Sequence, residues 1–482
     1  MATDYHDRLS NNLLLIGKRR LTGSGEQVAL HYPGDGRQTR VVNMASVQDV
    51  DAALESAKAA FPIWRSLAPS ARRDIMLTAA QLLVERADRL AWTAAFDTGL
   101  TYTNVRGFVL HAAEWLRYYA GWIDKASAPM VPMTPGALDY VTLEPYGIVG
   151  VISPSNSTVS AMILAPVLAA GNCVVVKPSS FTAQVVAEYL QVFLDAGMPP
   201  GVVNSVPGDG LVGEAIITNP AVRKVHFTGS CGVGAKVAAL SASLLKPSAL
   251  ELEGKSANIV FADADLDQAA SVAMRAITRQ AGQSCVAGTR ILVHRSVAEQ
   301  VITKTIDLTC KQRIGMPLSP DSAMGPVISA AARDRIMGVI GRTRDERQGK
   351  LVLGGHVLDQ DFPGGYFISP TIFRDVDNAS PIAQQETFGP VISFITFETD
   401  QDAIEIANAS EFGLAAYIHT GSLGRAHTVA ASLEVGTIWI NGAAGILPGG
   451  PFGGVKNSGW GRVGGAYGLA EFSQPKNIWM SC

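Results

Sequence analysis

The chain has 482 residues, with 39 Lys and Arg against 42 Asp and Glu and a net charge of −3, so it lacks the basic excess that neutralises nucleic-acid phosphates. Apolar residues make up 47% and charged residues 17%, which fits a globular protein with a large interior; the length exceeds what one hydrophobic core usually holds, so two or more domains are expected. The five cysteines (Cys173, Cys231, Cys285, Cys310 and Cys482) form no CxxC pair, which reads as reduced thiols in a cytoplasmic protein and not as a disulfide frame or a zinc site.

The amino terminus, MATDYHDRLSNN, is polar and lacks the basic start and apolar run of a secretory signal. Helical spacing of apolar residues runs through 49–61, 71–95 and 103–122, the last with an aromatic stripe of Phe108, Trp115, Tyr119 and Trp122 that reads as core. From about residue 140 short β-rich runs alternate with helix-like stretches. The runs are 148-IVGVIS-153, 173-CVVVKP-178, 202-VVNSVP-207 and 224-KVHFTG-229, with helices expected at 159–170, 182–196 and 211–218. The apolar runs are too short to span a bilayer.

The alternation resumes after about 250. Strands are expected at 257-ANIVF-261, 290-RILVH-294, 390-PVISFITF-397, 415-AAYIH-419 and 435-VGTIWIN-441, and helices at 267–281, 297–309, 327–343, 401–410 and 422–433. The fold class is therefore α/β, with two parallel-sheet units joined near 250.

Two phosphate-loop look-alikes are weak. The run 208-GDGLVG-213 matches G-x-G-x-x-G after a strand, but no acidic residue closes a following strand at the expected spacing. The run 253-EGKS-256 ends like a P-loop, yet the upstream glycine it needs is Ala249. No H-E-x-x-H, G-x-S-x-G or histidine cluster is present, so metal hydrolysis and serine-esterase chemistry have no anchor.

The stretch 281-AGQSCVAGTR-290 sets Cys285 among small residues. A nucleophilic cysteine must become a thiolate and needs donors for the oxyanion it creates. An amide, Asn156 in 153-SPSNST-158, and carboxylates, Glu251 in 250-LELEGKSAN-258 and Glu386 in 384-QQETFGPV-391, are remote candidates.

Seven motifs stand in one order: EPYGIVGVISPSN, KPSS, FTGSCGVG, LELEGKS, GQSCVAGTR, QETFGPV and PFGGVKNSGWGR. In order and spacing they resemble the aldehyde dehydrogenase superfamily, from about residue 20 to the end. The resemblance implies that Cys285 attacks an aldehyde, that Asn156 and the Cys285 N–H hold the oxyanion, and that Glu251 activates water to hydrolyse a thioester. It also implies a cofactor site for NAD or NADP. Phe227, Gly229 and Ser230 would open a helix onto the pyrophosphate, Lys177 and Glu386 would hold ribose hydroxyls, and Phe388 would pack beside the nicotinamide. Ser153, Gly210, Val233 and Leu252 fall along the same cleft.

Three departures from the family pattern bear on function. Ser155 and Ser157 flank Asn156 where bulky aromatics are common, and the segment that follows is about two residues short, which suggests a roomier substrate mouth. Glu253 stands where a glycine is usual, either as a solvated charge or as a perturbation of Glu251. Ser180 replaces the glutamate common in strict NAD users, so NAD is expected and NADP accepted. The loop 441-NGAAGILPGGPF-452 carries no charge, which suggests a neutral, apolar aldehyde, aromatic or medium-chain.

The resemblance implies two Rossmann-like domains, 1–125 with 145–250 for the dinucleotide and 251–440 for catalysis. A β-hairpin arm at 126–144, with the segment 441–482, would serve oligomerisation. Met130, Pro132, Leu138, Tyr140 and Thr142 alternate as an edge strand does, so a homodimer or homotetramer is expected. The competing readings are a CoA-acylating relative, against which Glu251 argues, and a non-catalytic dinucleotide-binding protein on the same scaffold.

Overall fold

A computed structural model describes residues 8–126, 128–132, 137–442 and 445–481. The first seven residues, part of the arm, residues 443–444 of the uncharged loop and Cys482 lie outside the described residues.

The chain opens with strands β1 (Leu14–Ile16) and β2 (Arg19–Leu21) and a hairpin, β3 (Gln27–His31) with β4 (Gln38–Asn43). Four helices follow: α1 (Val47–Ser66), α2 (Pro69–Glu85), α3 (Ala87–Thr98) and α4 (Tyr102–Ala120). The single helical stretch expected at 71–95 is broken at Arg86, where φ −99 and ψ 8 interrupt the helix between α2 and α3. The aromatic stripe on α4 is core: Trp115 and Tyr119 are buried, and Phe108 and Trp122 pack against them from the edge.

After the arm strand β5 (Ala137–Pro145), the first α/β unit runs β6 (Ile148–Ile152), α5 (Ala161–Ala169), β7 (Cys173–Lys177), α6 (Ala183–Asp195) and β8 (Val203–Ser205). It continues with α7 (Gly210–Thr218), β9 (Val222–Thr228), α8 (Cys231–Ser243) and β10 (Ser248–Glu251). The second unit runs β11 (Ala257–Val260), α9 (Leu266–Thr278), β12 (Arg290–His294), α10 (Ala298–Cys310), α11 (Ala330–Asp345), β13 (Lys350–Leu353), β14 (Thr371–Arg374) and α12 (Pro381–Gln384). Then come β15 (Val391–Phe397), α13 (Asp400–Asn408), β16 (Phe412–Gly413), β17 (Ala415–His419), α14 (Leu423–Ser432) and β18 (Thr437–Ile440). The chain closes with β19 (Val455–Lys456), β20 (Gly459–Trp460), α15 (Gly465–Glu471) and β21 (Ser473–Ser481).

The strands form two main sheets, ordered β2-β1-β8-β7-β6-β9-β10-β20 and β13-β14-β15-β12-β11-β17-β18. The β8-β7-β6-β9-β10 pairs and the β14-β15-β12-β11-β17-β18 pairs are parallel, and antiparallel strands sit only at the edges. Central strands such as β6 and β7 are buried along nearly their whole length, as the continuous Val/Ile runs require when helices cover both faces. The short antiparallel strands β1, β2 and β20 bring the two ends of the chain onto the first sheet, so residues 459–460 pair with β10 from the far side of the sequence. The arm strand β5 pairs with β21 over nine residues, from Ser473 opposite Pro145 to Ser481 opposite Ala137. Met130 bridges Tyr140 on the other side of β5. Among the described residues no helix is long and apolar enough to cross a membrane.

Candidate active site and cofactor cleft

The candidate nucleophile sits on a strained turn. The helix expected at 267–281 ends at Thr278. Gln280, Ala281 and Gly282 then follow in the left-handed region, with φ of 56°, 52° and 71°. Only glycine visits that region freely, and a non-glycine residue there costs about 1–3 kcal/mol when held by its surroundings. The surroundings here are the loop after α12: a Cβ on Gly282 would lie 2.0 Å from the Gly389 carbonyl oxygen. Phe388, next to that glycine, is itself left-handed at φ 47°. The two strained segments thus brace one another. Gly254 completes the brace, because a Cβ there would stand 2.7 Å from the Cys285 carbonyl oxygen.

This turn drops the Cys285 loop onto the core of the first unit, where Cys285 and Val286 pack. Asn156, in the loop after β6, donates from Nδ2 to the Gln283 carbonyl at 3.2 Å, two residues before the thiol. Thr98, Leu100, Ser155, Asn156, Gln283, Ile328 and Phe388 enclose a cavity of about 10 Å³, room for one water. The small side chains beside Asn156 are thus met by neighbours from α3 and the loops. Ser157 and Ser153 both hydrogen-bond the Ser160 hydroxyl, at 2.9 and 3.2 Å, and tie that loop to the start of α5.

Burial pushes the Cys285 thiol up to about 12, and the charges of Glu386 and Glu251 push in the same direction. The backbone N–H groups of Cys285 and Val286 act against them. Glu251, at the end of β10, is 8% exposed. Its Oε2 accepts from the Thr228 hydroxyl at 3.4 Å, and its Oε1 has no hydrogen-bond partner among the described residues. The protein therefore gathers thiol, amide and carboxylate from three distant stretches of sequence.

The cofactor candidates line the ends of the first sheet. Ser153 N–H donates to the Lys177 carbonyl, joining the ends of β6 and β7. Burial lowers the pKa of the Lys177 ammonium while Asp209 pulls it back. Ser180 opens a single turn of 3₁₀ helix after β7. Gly210 is the first residue of α7, and the Asp209 carboxylate caps that helix by accepting from the N–H groups of Leu211 and Val212. The first phosphate-loop look-alike thus has two of its amides already taken. The second, 253–256, leads into strand β11 and not into a helix. Phe227 is buried, and Gly229 lets the turn close over it: a Cβ there would lie 2.6 Å from the ring. Ser230 stands at the N-cap of α8 without a side-chain cap bond. Leu252 packs under Gly234 of α8, where a Cβ would come within 2.5 Å. Val233 and Leu211, on the first turns of α8 and α7, leave apolar side chains 47% and 65% exposed.

Glu253 does not stand free in solvent. Its Oε2 accepts from the Cys231 N–H at the head of α8, at 3.0 Å, so a carboxylate already sits where that helix is most attractive to anions. Glu386 accepts from the Gly254 N–H at 3.3 Å. Burial raises its pKa to about 8; Glu253 adds to the rise, while that N–H, Lys255 and Arg335 oppose it. Burial likewise drops the Lys255 ammonium to about 7.

Two residues escaped the sequence reading. Arg279, on the approach to Cys285, lies over the Phe108 ring at 5.5 Å, and its charge acts on the Tyr417 hydroxyl, which also feels Cys285 and donates to the Val286 carbonyl at 2.8 Å. Nothing in its own stretch of sequence, 278-TRQAG-282, marks this cation. His226, inside β9, has its Nε2 3.8 Å from Glu251 Oε1. The period-2 pattern of 224-KVHFTG-229 could have found it, since residues 226 and 228 share a face.

The aldehyde dehydrogenase family model matches residues 21–478 of the chain. The chain belongs to the aldehyde dehydrogenase family. The curated Bacillus subtilis (strain 168) protein DhaS, which bears an aldehyde dehydrogenase name, is 35% identical over 479 residues, covering 98% of this chain and 96% of DhaS. The crystal structure of PnpE in complex with nicotinamide adenine dinucleotide matches with a TM-score of 0.95 at 35% identity, covering 98% of both chains. The P. syringae indole-3-acetaldehyde dehydrogenase AldA, solved as a mutant with NAD+ and IAA, matches with a TM-score of 0.94 at 35% identity, covering 97% of this chain and 96% of AldA. The fold is thus the aldehyde dehydrogenase fold, and the protein is an aldehyde dehydrogenase.

Proposed function

We propose that this aldehyde dehydrogenase oxidises its substrate to the carboxylic acid through a thioester at Cys285, with NAD as the preferred acceptor and NADP also used. The observation that carries this reading is the convergence of Asn156, Glu251 and Cys285 on one braced loop. When bound, the nicotinamide supplies the acceptor for the hydride that leaves the aldehyde carbon.

The residues fit a dinucleotide. The amides of α8 after the one at Cys231 that Glu253 already binds, the desolvated Lys177 and the exposed apolar Val233 and Leu211 offer sites for phosphate, hydroxyl and ring chemistry respectively. Ser180 presents no carboxylate to repel a 2′-phosphate. A preference for NAD over NADP beyond about a hundredfold in kcat/KM, about 2.8 kcal/mol, would count against that role.

The chain's own part begins with the thiol. Burial and two carboxylates keep it protonated. Its proton must leave for solvent as sulfur bonds to the carbonyl carbon, which keeps Glu251 available for the second half. The oxyanion that forms would be held by Asn156 Nδ2 and the Cys285 N–H; losing one such donor typically costs about 2.7–4 kcal/mol of barrier. In the second half Glu251 takes a proton from water as its oxygen bonds to the acyl carbon, and the sulfur leaves with the C–S electron pair.

The uncharged loop 441–452 supports a neutral, apolar aldehyde, aromatic or medium-chain. Arg279 favours a second reading, an aldehyde that also carries a carboxylate, because guanidinium groups bind that group bidentately. A rate panel of benzaldehyde, hexanal and succinic semialdehyde, followed by NADH or NADPH absorbance, decides between them. The same assay with and without CoA tests the acylating alternative, and Cys285→Ala tests the thiol. We also infer a homodimer or homotetramer from the arm sheet, where Met130, Leu143, Trp479 and Met480 are exposed apolar groups on paired strands. Light scattering that finds a monomer contradicts this.

A further inference from the structure

His226 is a buried imidazole that the reaction as described does not use. It lies in β9 at the middle of the first sheet, opposite Val151 on one side and Ala249 on the other. It is 1% exposed, and its ring packs beside Phe472 with centroids 6.2 Å apart. Neither ring nitrogen has a hydrogen-bond partner among the described residues, and neither does Glu251 Oε1. Buried polar atoms are nearly always satisfied, and here an unpaired imidazole nitrogen and an unpaired carboxylate oxygen stand 3.8 Å apart.

The register explains the meeting. Thr228 pairs with Glu251 across β9 and β10, and His226 precedes Thr228 by two residues on the same face. The other charge on that face of β9 is committed elsewhere. Lys224, two residues before His226, pairs with Glu471 and lies over the Tyr146 and Phe472 rings. His419 supplies a contrast. It too is buried with both nitrogens unpartnered, but burial lowers its pKa to about 4, and no ion pair joins it to a carboxylate among the described residues.

We propose that His226 is the positioning residue for Glu251. Its Nε2–H donates to Oε1, directly after a small turn of the carboxylate or through one water, while Thr228 holds Oε2. The two contacts together fix the plane of the carboxylate that works on water. This inference rests on Glu251 acting as the base, as argued above.

The test measures deacylation alone. Cys285 is acylated with p-nitrophenyl acetate, and loss of the acetyl group from the intact protein is followed by mass spectrometry at several pH values. His226→Ala lengthens the acyl lifetime about tenfold or more, within the range that general-base assistance spans. His226→Gln, which keeps an N–H donor, restores most of the rate, and His419→Gln leaves it unchanged. An unchanged lifetime in His226→Ala overturns the proposal, as does equal slowing in the Ala and Gln variants. If wild-type Cys285 takes no acetyl group, or if Glu251→Gln deacylates as fast as wild type, the dehydrogenase mechanism itself has failed, and the positioning role falls with it.

Discussion

The two turns that build the site are held in different ways. The turn from β9 into α8, residues 227–231, has ordinary backbone geometry and is fixed by bonds to its neighbour strand: Gly229 N–H donates to the Glu251 carbonyl, and Cys231 N–H to Glu253. The turn from α9 to Cys285 passes through three left-handed residues and is fixed by contacts more than 100 positions away in sequence, at Phe388 and Gly389. The first can be built by its own unit. The second lies wholly within the second unit but needs the loop after α12 already in place, so the thiol is set only once that whole unit has folded.

Substitutions can break or sharpen this contrast. The largest effect is expected at the shared base, where Glu251→Gln slows steady turnover about 10²–10⁴-fold while leaving the first hydride transfer faster than later turnovers, seen as a burst of NADH in rapid mixing. Gly282→Ala comes next. Alanine at φ +71° costs about 1–2 kcal/mol and also collides with the Gly389 carbonyl, so both thermal stability and activity fall. Gly229→Ala meets only the Phe227 ring edge at an ordinary φ, and its melting temperature drops less. Equal losses in the two variants would erase the distinction.

A pH effect follows from Glu386. Its carboxyl is raised to about 8 in the folded protein, against about 4.3 in an unfolded chain. Between those values the fold holds a proton that the unfolded chain has released, so stability is lost as pH rises from about 4.3 to 8. Glu386→Gln avoids that loss. Its melting-temperature advantage over wild type should grow from pH 5 to pH 8 and level off above, as calorimetry can check. The smallest effect is expected at the relaxed turn. Removing the Glu253 carboxylate from the head of α8 by Glu253→Gly frees an amide and a positive helix end for an anion. KM for NAD+ should fall several-fold with kcat little changed, because a charge near a helix terminus is worth about 0.3–1 kcal/mol.

How far the sequence foretold these features follows from the same contrast. The β-rich runs around Val149, Val175 and Leu292 were legible because strands buried on both faces read as continuous apolar segments. The short strands at or next to the sheet's edges, 14–16, 19–21 and 248–251, were not, since three or four residues carry no period of their own. Cys285, Asn156 and Glu251 were singled out through motif order, but the end of α9 at Thr278 was missed. Its apolar pattern continues through Ala281, and only the distant Gly389 loop forces the chain to turn. Glu253 was seen as unusual, yet its partner, the Cys231 amide, could not be known before the α8 terminus was placed beside it. Arg279 was invisible for a similar reason, and the strand pattern of 224–229 put His226 on a face with Thr228 without showing what stood opposite it. Each matters through a neighbour brought in by the fold: Glu251 for His226, Phe108 and Tyr417 for Arg279.

The central claim is a covalent bond at one sulfur. Glu251→Gln enzyme mixed with NAD+ and a substrate aldehyde, quenched in acid and digested, should show the acyl mass on the peptide carrying Cys285, at near-stoichiometric amounts and with NADH formed in equal measure. NADH production with no acyl mass at Cys285, or an acyl mass that persists when Cys285 is replaced by alanine, would contradict the account.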